Sequence, residues 1–225
     1  MKKSKLISLI SVLDTREFRQ LSEFVRSAYH NKDERLVLLF DYLEQHFPDF
    51  PEAQIRKKIV FPYLFPGEPY NDQKIVYLMS DLLKLVEVFL GLQHLKQEEV
   101  LFDYYMLKAL AVRNADKSYN TRYRKLKTKL EKDTCISSDQ FYYQYLVSEL
   151  AADYFGRKEL RSFDENLQVA SNALDDFYFI NKLKYSCEML NRQAILTDQY
   201  SISFLNEIDQ HLNNRKELNP IITIY

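Results

Sequence analysis

The residues that most often bind catalytic metals or transfer protons are sparse in this sequence. Its four histidines are His30, His46, His94 and His211, and no two of them stand one helical turn apart as in HExxH. The sequence has no GxSxG nucleophile motif and no GxxxxGKS or GxxxxGKT phosphate-binding loop. We therefore expect a protein that is not an enzyme and that uses no metal and no cofactor.

Adjacent carboxylates and free thiols are the other candidates for chemistry. Asp175 and Asp176 form a pair of adjacent carboxylates, which could serve in acid–base catalysis. Carboxylates at the start of a helix, however, more often stabilise its positive end. Cys135 and Cys187 are too few for a disulfide framework, and neither belongs to a CxxC pair. This cysteine usage is typical of a reducing compartment, which predicts a cytoplasmic protein.

A cluster of cations within residues 117–132 is the main candidate for nucleic-acid binding. Tyr119 and Tyr123 form the buried stripe of the predicted helix, and cations beside aromatic rings can contact phosphates and stack on bases. Cationic side chains also line the solvent edge of an apolar stripe without binding anything. With a net charge of -1, we prefer that second interpretation. The four cations that share one side of the helix are Arg122, Lys125, Lys129 and Lys132.

A candidate for protein binding lies on the helix predicted after Asp176. Tyr and Arg are favoured at protein interfaces, because each buries a large area and also forms hydrogen bonds. A helix side that faces no neighbour in a helical array can line a binding groove, and an ordinary solvent face is the alternative. The residues line up opposite the apolar stripe at i, i+4, i+7 and i+11: Asn181, Tyr185, Glu188 and Arg192.

The composition is that of a folded protein without a membrane span. Hydrophobic residues make up 46% and charged residues 28%, and no stretch reaches the about 18 uncharged apolar residues that a spanning helix requires. The apolar segment from Leu6 to Leu13 is broken by Ser8 and Ser11, and it meets charged residues after Asp14 instead of a cleavage site. We expect this segment to be a helix face and not a signal peptide.

Apolar residues recur at helical spacing through nearly the whole chain, and only 3 Gly are present for tight hairpins. Helices are predicted to start near Asp14, at a capping-box-like Asn31, and at Pro51 with an end near Val60. The helix over residues 71–95 is the most apolar. We expect it to be central and nearly surrounded, with Gly91 at a close helix crossing or a kink.

The second half of the chain has the same helical periodicity, including a capped start at Ser137. Segments 141–146 and 178–183 align at an offset of about 37 residues. The helices there loosely resemble tetratricopeptide-type repeats, but the small residues that this pattern places between paired helices are missing. Two predicted buried stripes are Phe163, Leu167, Ala170 and Leu174, and then Leu183, Cys187, Leu190 and Ala194.

The first 95 residues contain a series of motifs that resembles a known family. They are FVRSAYHNK at 24–32, LFDYL at 39–43, FPDF at 47–50, FPG at 65–67, YND at 70–72 and MSDLL at 79–83. Together they resemble the N-terminal part of a family of uncharacterised bacterial all-helical proteins. The resemblance implies a helical fold and relatives longer than this chain. It implies no activity, cofactor or catalytic residue.

These observations predict an all-α fold of antiparallel helical hairpins in a right-handed, α-solenoid-like array. An N-terminal helical lobe is expected over residues 1–113 and the hairpin array over residues 114–225. The predicted function is a non-catalytic protein-binding or scaffold module whose partner is another polypeptide. The alternative is a nucleic-acid-binding accessory protein that uses helix 117–132.

The last residues predict that this chain is the N-terminal portion of a longer protein. Asn219 and Pro220 are the N-cap and N1 residues of a further helix. The apolar run from Ile221 to Tyr225 follows them without a stop signal, and the sequence has no terminal helix with the polar outer face that such an array needs. We expect the exposed apolar end to allow this chain to dimerise.

Overall fold

The computed structural model describes residues 1–132, 137–157, 163–195 and 199–214. Within these ranges all regular secondary structure is helical, which confirms the all-α class. The predicted helix start at Asn219, the apolar end proposed for dimerisation and Cys135 lie outside the described residues. The described helices are α1 Lys5–Ile10, α2 Thr15–Arg26, α3 Glu34–Glu44, α4 Lys57–Leu64, α5 Asp72–Gln97, α6 Glu99–Val112, α7 Asp116–Lys132, α8 Ser138–Gly156, α9 Glu165–Gln193 and α10 Leu205–Asn213.

The chain divides into two compact units, Met1–Gln97 and Glu98–Tyr225. Helix α6 belongs to the second unit, whereas the sequence-based division falls after residue 113. The reason is packing: Tyr104 and Leu107 of α6 are buried in the same cluster as Tyr119 of α7.

In the first unit, α1 to α5 enclose one continuous apolar core. Helix α2 begins where expected, because the Asp14 side chain accepts the Glu17 N–H at 2.7 Å and the Glu17 side chain accepts the Asp14 N–H at 3.0 Å. The N-cap of α3 is Asp33 and not Asn31. Asn31 instead accepts the Asp33 N–H and donates to the Val25 carbonyl, so it braces the turn that precedes the helix.

Two expectations for the first unit are wrong in detail. The short helix α4 begins after Arg56 and not at Pro51, because residues 52–55 form a turn that places Ile55 in the core. Helix α5 is central, since it contacts each of α1 to α4, but it is not nearly surrounded: one face stays open to solvent, including Tyr77 and Val88. A Cβ at its Gly91 would meet nothing within 4 Å, so no close crossing occurs there.

In the second unit, stacked tyrosines join α7 to α8. The rings of Tyr119 and Tyr154 are 3.7 Å apart between centroids, at an interplanar angle of 22°. Ser137 caps α8 as predicted, since its Oγ accepts the Gln140 N–H at 3.3 Å. Helix α9 packs along α8, and α10 contacts α9 through Ile208.

Candidate functional site

Helix α9 buries small side chains in its N-terminal part and large ones, Phe179 and Ile180, further along. Ala170 and Ala173 are buried on α9, and Ala151 and Ala152 are buried on its neighbour α8. Small residues let two helices approach closely, which increases their van der Waals contact. The small residues that the sequence pattern did not reveal are therefore present on both helices.

The burial predicted for two stripes of this region is largely wrong. Phe163 precedes the helix, which is capped by Asp164, and of its predicted stripe only Ala170 is buried. Leu167 and Leu174 are exposed, although each lies within one helical turn of Ala170. In the following stripe Leu183 packs beside Phe179, Cys187 is half-buried, and Leu190 and Ala194 are exposed.

The exposed leucines belong to a line of residues that we call the outer stripe of α9. Leu167 is 63% exposed, Leu174 44%, Tyr178 43% and Tyr185 57%. Successive members are alternately four and three residues apart, which keeps them on one side of the helix over about 37 Å at 1.5 Å per residue. The stripe consists of Leu167, Ser171, Leu174, Tyr178, Asn181, Tyr185, Glu188 and Arg192.

The four residues predicted for protein binding form the C-terminal half of this stripe. Asn181 is half-buried, and its Nδ2 donates to the Phe177 carbonyl at 2.8 Å. Glu188 and Arg192 form an ion pair in which the guanidinium donates twice to Glu188 Oε1, at 2.7 and 2.9 Å. That hydrogen bond, followed by one with Tyr200, raises the pKa of Arg192. The sequence missed the N-terminal half, because its leucines match a buried pattern.

The four cations predicted for nucleic-acid binding differ in their surroundings. The Arg122 guanidinium lies 3.2 Å from Asp103 Oδ1, and Lys129 pairs with Glu99. Both acids belong to α6, and the Lys129 ammonium lowers the pKa of Glu99. Lys125 and Lys132 are exposed and have no ion pair with any described residue. Half of the basic cluster is thus already neutralised within its own unit.

Two tyrosines of α7, Tyr119 and Tyr123, have hydroxyl groups that lie inside the second unit and are not available for proton transfer at neutral pH. Tyr123 donates to Asn166 Oδ1 at 2.7 Å, and burial, followed by repulsion from Asp164, raises its pKa to about 12. Burial also raises the pKa of Tyr119, whose hydroxyl faces the Leu150 carbonyl at 3.5 Å. These groups stay protonated and support the packing of α7, α8 and α9.

The first unit contains a groove that the sequence did not predict. A cavity of about 790 Å³ lies between α2 and the C-terminal half of α5. Phe89 is buried at its floor, and Gln20 and Gln93 form a hydrogen bond across it at 2.8 Å. In the sequence, the groove is marked only by polar residues at helical spacing on α2 and on α5. That pattern does not show that the two helices meet.

No group of three or more His, Cys, Asp or Glu residues in the described ranges could hold a metal ion. None of the described helices is both long and apolar enough to cross a membrane.

The chain matches no protein-family model, no curated protein and no solved structure. Its function must therefore be argued from its own surfaces. Among these, the outer stripe of α9 combines exposed apolar area with a regular helical spacing.

Proposed function

We propose that this chain is a non-catalytic protein-binding or scaffold module, and that the outer stripe of α9 binds a helix of another polypeptide. The supporting observation is the continuous exposure of Leu167, Leu174, Tyr178 and Tyr185 on one side of one helix. Single exposed hydrophobic residues are ordinary, but four exposed leucine and tyrosine side chains along one side of a helix are typical of an interaction surface.

The spacing of the stripe favours a helical partner. Alternating steps of four and three residues are the spacing of a coiled-coil seam, in which each side chain inserts between four residues of the facing helix. A polar residue at one seam position, here Asn181, selects one register over others. The Glu188–Arg192 pair makes the far end of the seam polar, so we expect the partner helix to be apolar opposite Leu167 and polar opposite Arg192.

We further propose that the second unit is built from antiparallel helical hairpins, as in a right-handed solenoid that loosely resembles tetratricopeptide arrays. Contacts that run in opposite directions support this: Glu99 and Asp103 pair with Lys129 and Arg122, respectively. A cytoplasmic location, a bacterial origin and membership of the helical family that the N-terminal motifs resemble are parts of the same proposal.

A nucleic-acid-binding role through α7 is the second candidate, supported by exposed Lys125 and Lys132. We rank it below protein binding, because Arg122 and Lys129 already pair with acids. Salt separates the two roles: phosphate contacts weaken steeply as salt rises, whereas an apolar seam does not. We expect no retention of the chain on heparin at physiological salt, and micromolar binding to RNA or DNA there would reverse the ranking.

The test of protein binding compares two matched double variants by size-exclusion chromatography of lysate from the native host. Leu174→Glu with Tyr178→Glu places two charges in the seam. Gln168→Glu with Asn172→Glu places the same two charges on another side of α9, where both residues are exposed. We expect the native chain and the second variant to elute as a complex well above the 27.0 kDa of the monomer.

The seam variant should elute as a monomer with an unchanged circular dichroism spectrum. Co-elution of the seam variant with the complex would show that α9 does not provide the contact. Elution of the native chain itself at the monomer position would contradict the proposal as a whole.

A further inference from the structure

The α2–α5 groove has the size and the apolar floor of a ligand site. Its volume of about 790 Å³ lies within the range of about 300–1,000 Å³ usual for binding clefts. Phe24 forms the floor with Phe89, at 5.5 Å between ring centroids, and stacks on His30 at 4.0 Å. Lining residues on α2 extend from Arg16 to Ser27, about 17 Å at 1.5 Å per residue.

Two amides in the groove present the complement of a peptide group. The Gln93 Nε2 donates to the Gln20 Oε1 at 2.8 Å, and neither side chain has another hydrogen-bond partner within residues 1–97. The Gln20 amide keeps its N–H donors and the Gln93 amide keeps its carbonyl oxygen. A donor beside an acceptor matches the C=O and N–H of an extended chain, which a helical partner would already use internally.

The charges of the groove differ between its two ends. Arg16 and Lys96 line one end and have no ion pair with any described residue. The carboxylates of Asp14 and Glu17 at that end accept the capping hydrogen bonds of α2. Glu23 lies further along α2, towards the other end. A bound segment is therefore best matched by a carboxylate near Lys96 and a cation near Glu23.

We propose that the α2–α5 groove binds an extended segment of about five residues of another polypeptide, since an extended chain spans about 3.3–3.6 Å per residue. An apolar side chain of the segment packs on Phe24 and Phe89. One of its peptide groups bonds to Gln20 and Gln93. This second polypeptide site is independent of the helix-binding stripe on α9.

The probe is the peptide Ac-Lys-Ala-Leu-Ala-Glu-NH2, added to the full ¹⁵N-labelled chain and followed by NMR. We expect the side-chain amide signals of Gln20 and Gln93 to shift with saturation below about 10 mM, the weak affinity usual for a short segment. Gln20→Leu and Gln93→Leu should each weaken binding about tenfold, because a peptide group loses its partner. The matched control Gln73→Leu, at the other end of α5, should bind like the native chain.

A second peptide tests the charges: Ac-Gln-Ala-Leu-Ala-Gln-NH2 should bind several-fold more weakly. The seam variant with Leu174→Glu and Tyr178→Glu should bind the first peptide normally, so this proposal can fail or succeed separately from the one for α9. Absence of shifts at Gln20 and Gln93 at about 10 mM peptide would overturn the proposal. So would native-like affinity in both Gln→Leu variants, whose folding is checked by the amide spectrum.

Discussion

The Met1–Gln97 unit buries 23 hydrophobic residues in one cluster, and none of them is a tyrosine. Among the described residues of the Glu98–Tyr225 unit, most of the buried hydrophobic residues form two smaller clusters, one of 8 and one of 3, and the buried alanines of α8 and α9 lie outside both. The larger of these contains Tyr104, Tyr119 and Tyr154. One unit is therefore closed around aliphatic and phenylalanine side chains, whereas the other packs amphipathic rings whose hydroxyls need partners.

This difference shows how the two units acquire their candidate binding surfaces. In the first unit the core encloses apolar residues from all five helices, and the groove is lined largely by polar side chains above a small aromatic floor. In the second unit Ala151 and Ala152 of α8 and Ala170 and Ala173 of α9 are buried, whereas the larger Leu167 and Leu174 stay exposed. The apolar stripe thus consists of side chains that the packing of α9 leaves uncovered.

The largest expected effect is in the closed core. Leu82 is completely buried in α5, so Leu82→Ala should lower the free energy of unfolding by about 2–5 kcal/mol through lost burial and a residual cavity. Leu92→Ala, on the same helix at 38% exposure, is the control and should cost much less. Urea unfolding followed by circular dichroism measures both. A cost below about 1 kcal/mol for Leu82→Ala would show that this core is not closed.

The next largest effect is expected in the tyrosine-rich second unit, whose stability should depend on pH above about pH 10. The pKa of Tyr123 is raised to about 12 from its ordinary value of 10.0, so the fold favours the neutral phenol. This contribution to stability is complete below pH 10 and is lost as the pH rises from 10 towards 12.

The matched variant is Tyr123→Phe, which has no proton to lose. We expect its unfolding free energy to fall less between about pH 10 and pH 12 than that of the native chain, in urea melts at each pH. An absorbance titration of the tyrosines at 295 nm should also show one fewer high-pH ionisation in Tyr123→Phe than in the native chain. Parallel pH profiles for the two proteins would contradict the assigned burial of Tyr123.

The smallest effect is expected on the outer stripe. Leu167 is 63% exposed, so Leu167→Ala should change the free energy of unfolding by no more than about 0.5 kcal/mol. The same measurement on Leu107→Ala, a fully buried leucine of the same unit, provides the matched comparison and should give a cost of about 2–5 kcal/mol. Equal costs for the two variants would mean that the stripe is buried.

The sequence predicts the helical class and several helix starts, because capping residues and apolar periodicity are local properties. The separate helix predicted after Asp176 is wrong, since α9 runs unbroken from Glu165 to Gln193. The capping residues Asp14 and Ser137 are correctly predicted. Periodicity shows which residues share a helix face but not which of them a neighbouring helix covers, so Leu167 was predicted to be buried with Ala170. In the structure Ala170 is buried and Leu167 is 63% exposed, because burial depends on where the neighbouring helix lies, which is not a local property.

The candidate surfaces were accordingly predicted in part. The C-terminal half of the outer stripe follows from the spacing of Asn181 and Tyr185, because exposed polar residues mark a solvent face. The α2–α5 groove does not follow from any local pattern. It depends on Gln20 and Gln93, which are 73 residues apart in the sequence and meet only after the core of the first unit has formed.

Site-specific photocrosslinking along α9 tests the central claim most directly. A photoreactive phenylalanine analogue replaces residues 167–185 one at a time, and the chain is irradiated in its native host. We predict one discrete crosslinked protein, with yields that peak at steps of four and three residues along the outer stripe, at Leu167, Ser171, Leu174, Tyr178, Asn181 and Tyr185. Yields should be low at Gln168 and Asn172. Equal yields at all positions, or no crosslinked product from any of them, would contradict helix binding by α9.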